Sequence, residues 1–506
     1  MKRITFLLIS VLTVTVINAQ NITDGLRYST DALNGTARFN ALSGAFGALG
    51  GDLSAIEINP AGSAIFIFST SSVSFSVNHK KNKASYFNTK TNASDTDLNF
   101  NQAGAVFVYK NPNQDSSWKK FTFAINYIAT QNYDNELFIK GTGNTSIGEF
   151  FLVQAQGIPL DLLQLQNGES ISGLYAFLGE TEGISAQNAF LGFQGYIFDP
   201  LDPDDITNTQ YISNIASGNF NQEYIYLTSG YSGKYTFNFA TQVSDKFFFG
   251  VNLNIHSIDY LQSTFLYETN SNPGSIINKV GFENNLAVYG TGFSTQVGAI
   301  AKLTDALRLG ITYDSPTWYV ISEETTQYLE TQRTVKGELI NEFIDPHIIN
   351  IFQDYDLKTP QKISGSIAYV FGKQGLLSFD YTYRDYSQIK FSPSNDPAFA
   401  LQNNLINSSL KGSSGYKLGG EYRINDLSLR GGYLYEESPY KDEVTVGNLN
   451  GFSLGLGYNL GVYNFDFSYS RTQQDRNQQL YSIGLTDTAS IKTIISNYVL
   501  TFGFSI

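Results

Sequence analysis

Cysteine is missing altogether, methionine occurs once and histidine three times, and only 15% of the 506 residues are charged. Without cysteine there are no disulfides, no thiol chemistry and no cysteine-ligated metal. His79, His256 and His347 are scattered, and no Gly-x-Ser-x-Gly elbow or nucleophile-and-base pair accompanies them. Neither a catalytic residue, a metal site nor a cofactor is therefore expected. A formal net charge of −13 argues against a surface for nucleic acid. Soluble domains carry about 25% charged residues, so a chain this poor in charge does not turn its surface mainly to water. After residue 19 no run of about 18 apolar residues occurs, which excludes a membrane-spanning helix.

The first 19 residues are of another kind. Lys2 and Arg3 precede an apolar stretch, Ile4–Ile17, and Asn18-Ala19-Gln20 offers cleavage after Ala19. That is the pattern of a secretory signal peptide over 1–19, and the mature protein is expected to be exported. No cysteine follows the cut, so a lipid anchor is not expected.

From Ser69 onward the dominant signal is period two. Phe121, Phe123, Ile125 and Tyr127 alternate with Thr122, Ala124, Asn126 and Ile128; Leu307, Leu309, Ile311 and Tyr313 alternate with Arg308, Gly310, Thr312 and Asp314. Alternation of this kind marks strands. The polar face is made of Ser, Thr, Asn and Gly instead of Lys and Glu, and Tyr and Phe gather at the strand ends. An outward lipid band with aromatic girdles requires that arrangement. Closure into a barrel is the one way strands can satisfy their backbone in lipid. The fold class expected is all-β, a transmembrane antiparallel barrel of about 14 strands over 69–506, the first near 69–81 and 97–110 and the last near 493–506. Short turns at 243–246, 303–306 and 424–427 belong to the periplasmic rim, with longer connections outside. Alternation fails between Gly141 and Asn221, where clusters of Phe, Leu and Tyr predict a compact outer cap (141–221).

Ahead of the strands, Ala41–Gly62 reads ALSGAFGALGGDLSAIEINPAG. So few large side chains cannot build a core, and order requires that the segment sit inside something else. Asp52 is placed to cap a short helix over Leu53–Glu57, Asn59 before Pro60 is pushed towards an extended backbone, and Gly62 can take a positive φ. Residues 20–68 are thus expected to plug the lumen. The terminal stretch places Tyr498, Leu500, Phe502, Phe504 and Ile506 on one face, the kind of strand that barrel assembly machinery recognises.

Taken together, the chain resembles the FadL/TodX family of outer-membrane transport proteins. The match lies in Gly44–Gly62 ending in Asn59-Pro60-Ala61-Gly62, in Leu307-Arg308-Leu309-Gly310 with Tyr313 and Ser315-Pro316, and in Tyr416–Pro439 with Gly420-Glu421-Tyr422 and Leu429-Arg430-Gly431-Gly432-Tyr433. Ser453–Tyr458 adds a weaker match. The resemblance implies passive uptake of hydrophobic small molecules (long-chain fatty acids or related hydrocarbons) across a Gram-negative outer membrane by a monomer. It also implies a hatch that closes the lumen, with Gly44, Gly47, Gly50, Gly51, Asn59, Pro60, Ala61 and Gly62 as hatch or gate residues, and lateral release into the lipid. By parity Arg308, Lys417, Arg423 and Arg430 point into the lumen, with Asp314, Asp380, Glu421 and Asp466. One of the four cations could hold a ligand carboxylate, or all could be paired with each other or with the hatch. A porin-like channel for small polar solutes and an outer-membrane enzyme are the alternatives.

Overall fold

The computed structural model describes residues 21–113 and 115–505. The expected signal segment 1–19 and Ile506 lie outside the described residues. Fourteen antiparallel strands form a closed barrel, the first pairing with the last from Thr70↔Ser505 to Ser85↔Ser490. In chain order they are β1 (Thr70–Tyr86), β2 (Thr89–Lys110), β3 (Trp118–Asn132, resuming as Asn135–Gly143), β4 (Phe220–Val243), β5 (Phe247–Thr269), β6 (Ile277–Lys302) and β7 (Leu307–Asp314, resuming as Trp318–Val335). They continue as β8 (Tyr355–Lys358, resuming as Lys362–Phe371), β9 (Gly375–Asp385), β10 (Gly412–Ile424), β11 (Leu427–Glu436), β12 (Leu449–Asn459), β13 (Tyr463–Gln479) and β14 (Thr488–Ser505).

The pleat sorts the two faces opposite to a soluble sheet. Leu418, Leu454, Leu456, Phe467 and Leu500 are exposed on the outside, while Ser364, Ser378, Asn238, Asn252 and Thr122 are buried inside. Water does not tolerate so wide an apolar belt, and lipid does. Aromatic rings pack across neighbouring strands along it, as in Tyr127–Tyr235 (4.9 Å) and Tyr469–Tyr498 (5.1 Å). Hairpins at the periplasmic end turn on residues with left-handed backbone, including Ser244, Gly372, Asn425 and Gly461. Ser244 and Asn425 lie in two of the three short turns expected, 243–246 and 424–427; the third, 303–306, turns without a left-handed residue.

Several strands run further than the alternation reaches. β1 extends to Tyr86 and β2 starts at Thr89, joined by Phe87 and Asn88, both at positive φ. The added part carries Asn82-Lys83 and Asn92–Thr96, polar on both faces, so no apolar period exists there to be read. β4 likewise starts at Phe220 instead of near 230, and β14 at Thr488 instead of 493.

Between β3 and β4 lie helices α3 (Gly148–Ala155), α4 (Ile171–Thr181) and α5 (Ile184–Gln194). Phe151, Tyr175, Phe190 and Phe198 are fully buried there, in one core with Leu137, Leu266, Phe282 and Leu329 of the wall. Apolar packing therefore fastens this insertion across the outer end of strands β3, β5, β6 and β7. A further helix, Pro397–Ser409, sits in the connection before β10.

Two places interrupt the wall. In β7 and β8 the chain breaks at Ser315-Pro316-Thr317 and Thr359-Pro360-Gln361, because proline has no N–H to give the ladder. Side chains repair it: Thr317 N–H bonds Thr359 Oγ1 (2.9 Å) and Thr295 N–H bonds Ser315 Oγ (2.9 Å). The other break is bridged by side chains alone, Asn132 to Asn99 (2.6 Å) and Thr91 to the Phe138 carbonyl. β2 pairs with β3 only from Gln102↔Ile128 to Lys110↔Lys120. Above that, β3 kinks at Tyr133-Asp134 opposite a positive-φ Gly230 and then pairs with β4 alone. The upper half of β3 leans into the lumen, where Lys80 Nζ (2.6 Å to Asp134 O) and Asn82 Nδ2 (2.6 Å to Glu136 O) reach it from β1, past β2. A gap in the ladder is left beside Leu98 and Phe100, both exposed on the lipid side. Hydrogen exchange checks this: amides of residues 90–100 that face the gap should exchange about tenfold or more faster than those of 102–110.

Candidate functional site

Residues Asn21–Phe66 lie inside the barrel, and the reason they fold there is local chemistry completed by the wall. Asn21 and Asp24 form a capping box on α1 (Ile22–Arg27), and Thr36 caps α2 (Ala37–Ala41). Asp52 accepts from Thr36 Oγ1 (2.8 Å) and from Ser54 N–H (2.8 Å), opening a 3-10 turn over Ser54–Glu57. Asn59 is extended, as its place before Pro60 requires, and caps a second 3-10 turn, Pro60–Ile65, through Ala61 N–H (3.1 Å). Gly62 does not take the expected positive φ; that conformation falls on Gly44, Gly50 and Gly51. Gly62 is glycine for space, since Gly50 packs against it so closely that a Cβ on Gly50 would stand 2.7 Å from Gly62 Cα.

The wall meets this segment with two devices. One is polar: Asn238 Nδ2 bonds Pro60 O (2.9 Å), Asn252 Nδ2 bonds Ile56 O (2.9 Å), and Asp380 accepts from Phe46 and Gly47 N–H (2.9 and 2.8 Å). Asn59 Nδ2 reaches both Gly47 O (2.8 Å) and Ala299 O (3.1 Å), and Glu57 is held by Asn126 (2.7 Å), Thr236 (3.0 Å) and Lys234 (2.9 Å). The second is the absence of side chains. Inward positions in the wall are glycine at 250, 298, 310, 419, 432 and 455, where the segment comes into close contact, with its backbone at 250, 310, 419 and 432. A Cβ on Gly250 would stand 2.3 Å from Pro60 C, and one on Gly310 2.2 Å from Gly47 O. The strand motifs with Gly310 and Gly432 are thus close-contact motifs.

All four cations expected in the lumen do face it, but three are committed to the segment or to each other. Glu421, fully buried, accepts from Arg38 of α2 (2.9 Å), Arg430 (2.7 Å) and Arg423 (2.7 Å); Arg430 also bonds Asp466. Arg308 Nη1 bonds Leu49 O (3.1 Å). Lys417 alone of the four lines open space, beside Gly44. His256 is a hydrogen-bonded lumen residue (2.8 Å to Ser294 Oγ), and His347 pairs with Asp345 in an outer connection.

That open space is a cavity of about 1400 Å³ above the segment, bounded by α1, the upper wall and outer-connection residues such as Thr445 and Ser482. Ile22, Leu26, Phe150, Leu286, Tyr224, Tyr260 and Tyr481 give it apolar and aromatic surface. Its floor is charge-matched: Lys234 with Glu57, Lys362 with Asp314 (3.7 Å), Arg384 with Asp31 (3.2 Å). Burial works against the Asp31 charge, but Arg384, Lys362 and Lys234 outweigh it and hold the carboxyl well below the usual carboxylate range.

Three lining cations, Lys417, Arg476 and Lys80, have no carboxylate within ion-pair distance among the described residues. Arg476 bonds Thr493 Oγ1 (3.0 Å), which bonds Asn82 (2.7 Å); Lys80 bonds only the Asp134 carbonyl, at the gap between β2 and β3. The cavity lining continues through Asn132 and Asn135 to that gap. Lys80 lies within the expected first strand, 69–81, but is not among the lumen cations expected; alternation could not find Arg476, which stands in the polar extension of β13 above the lipid belt. The only sequence signal was a cation in a stretch, RTQQDRNQQ, with few acids around it.

Residues 210–501, more than half of the chain, match the family model described as outer membrane protein transport protein (OMPP1/FadL/TodX). Among solved structures the chain is similar to a Pseudomonas aeruginosa FadL homologue, at 12% identity and a TM-score of 0.54, covering 94% of this chain and 99% of that one. It is also similar to the toluene transporter TodX of P. putida, at 14% identity and a TM-score of 0.50, again covering 94% and 99%. No curated protein sequence matches. At these identities the likeness is one of fold.

Asn59→Ala removes two wall-and-segment bonds and a cap, each worth about 0.5–1.5 kcal/mol. Exchange protection of the amides around 47–61 is expected to fall by about 1–3 kcal/mol, while the barrel keeps its heat-modifiable mobility on gels.

Proposed function

Because the chain belongs to the OMPP1/FadL/TodX family of outer-membrane transport proteins, we propose that it takes up carboxylate-bearing hydrophobic molecules, long-chain fatty acids in the first place, by diffusion through the lumenal cavity. The observation that carries this reading is the pair Arg476 and Lys80. A cation withdrawn from water without a counter-charge is costly, and a bound carboxylate offsets that cost. A pure hydrocarbon has no use for it. The ligand's methylenes would lie against Ile22, Leu26, Leu286 and the tyrosines, gaining about 0.8 kcal/mol for each one buried.

In this reading residues 20–68 are the hatch. Gly44, Gly47, Gly50, Gly51 and Asn59-Pro60-Ala61-Gly62 hold it against the wall and close the axial route, while α1 forms the movable floor of the cavity. The ligand leaves sideways, between β2 and the kinked β3, into the lipid beside Leu98 and Phe100. Residues 141–221 act as the outer cap. A hatch bonded around most of the lumen weighs against an open porin. The unit is a monomer, and β14, with Tyr498, Leu500 and Phe502 outward, is what barrel assembly machinery would bind.

The test is uptake of labelled long-chain fatty acid by cells lacking their own outer-membrane importer, with the wild type and with Arg476→Gln/Lys80→Gln. A charge-assisted bond is worth about 1.5–3 kcal/mol, so the variant should need about tenfold or more ligand for half-maximal uptake. Equal uptake by both would remove the carboxylate site. Uptake of toluene but not of fatty acid, by correctly inserted wild type, would reassign the substrate to aromatic hydrocarbons.

A further inference from the structure

Outside the barrel, just above the lipid belt, β13, β14, β1 and β2 carry a cluster of cations that the transport reading does not use. Lys83 on β1 stands directly opposite Lys492 on β14. Lys81 is two residues below Lys83 on the same face, Lys90 follows on β2, and Arg471 stands opposite Ser496 on β13. Lys81, Lys83, Lys90 and Arg471 are exposed and have no carboxylate within ion-pair distance among the described residues. The one acid nearby is Asp475, 4.0 Å from Lys492 Nζ.

Like charges facing each other across a ladder are destabilising, and this pair persists in a chain whose net charge is −13. Some cations elsewhere on the outer connections are matched, Lys140 with Glu223 (2.7 Å) and Arg333 with Glu342 (2.9 Å), while Lys358 and Lys390 also face each other unpaired. The cluster is therefore a local excess that an external anion would relieve.

Its height says where the anion comes from. Two residues below Arg471 lies Tyr469, its ring tilted against that of Tyr498 at the upper edge of the belt; Val77, Leu98 and Leu500 continue the apolar face beneath. An occupant that satisfies both parts has acyl chains against that face and phosphates at the level of the lysines. We propose that this outward cluster is a binding site for the phosphorylated headgroup of a glycolipid of the outer leaflet. The inference needs only the barrel's place in the outer membrane and stands whichever compound is transported.

The test uses the full barrel purified in mild detergent, with bisphosphorylated lipid A added and retention read by native mass spectrometry. The wild type should hold one lipid. Lys81→Gln/Lys83→Gln/Lys492→Gln should weaken retention about 100-fold, from about fivefold for each cation near the lipid surface. Asp475→Asn should strengthen it, a second readout independent of the triple variant. Gel mobility before and after heating confirms that each variant is folded. Equal retention by wild type and triple variant, or equal retention of dephosphorylated lipid A, overturns the proposal. Displacement by inorganic phosphate at matched concentration would also overturn it, by making the site one for free phosphate.

Discussion

Everything in this molecule depends on how the backbone of Asn21–Phe66 is satisfied inside the barrel. A segment of small residues buries little apolar surface, so it is ordered only if its N–H and C=O groups find partners. The wall supplies them from Asn238, Asn252, Asn59's partners on β6 and Asp380, and comes near enough to do so because its inward positions there are glycine. The amide and hydroxyl lining of the lumen is a surface matched to one backbone, not a generic wet interior. Above it the match ends and the cavity begins.

The two wall interruptions show how the same kind of defect leads to different outcomes. At Pro316 and Pro360 the ladder is interrupted in neighbouring strands, and the Ser315 and Thr359 hydroxyls accept the N–H groups of Thr295 and Thr317 left over there. At Tyr133-Asp134 the strand itself leaves the plane; Asn82 and Lys80 of β1 bond it, and β2 reaches it only through the side chains of Thr91 and Asn99. Those bonds fix the kink without closing the gap, and they put a cation at its edge.

Much of this was legible in the sequence wherever lipid imposes a rule. Leu307–Tyr313 or Phe121–Tyr127 could not have been read otherwise, because one face must be apolar along the whole crossing. Legibility stopped where water resumed. Asp475–Gln479 is strand in the structure, yet both of its faces are polar and the period vanishes, which hid Arg476. The four cations chosen by parity were rightly placed in the lumen, but parity gives a face and not a depth, so Arg423 and Arg430 came out below the cavity with Glu421. Gly62 failed as a conformational prediction because sequence cannot separate a glycine needed for its φ from one needed for its size.

The contact between Ala37 N–H and Thr501 Oγ1 (2.7 Å) joins the start of the folded chain to its last strand, across the seam where β14 meets β1. That seam joins the first strand to the last, so it can form only once both ends of the barrel sequence are in place. The N-terminal segment touches the wall on both sides of it, at Asn101 of β2 as well as Thr501. It fits too closely against the inward glycines to be threaded into a finished cylinder. The barrel must then close around its occupant, which serves as the template on which the wall is rolled.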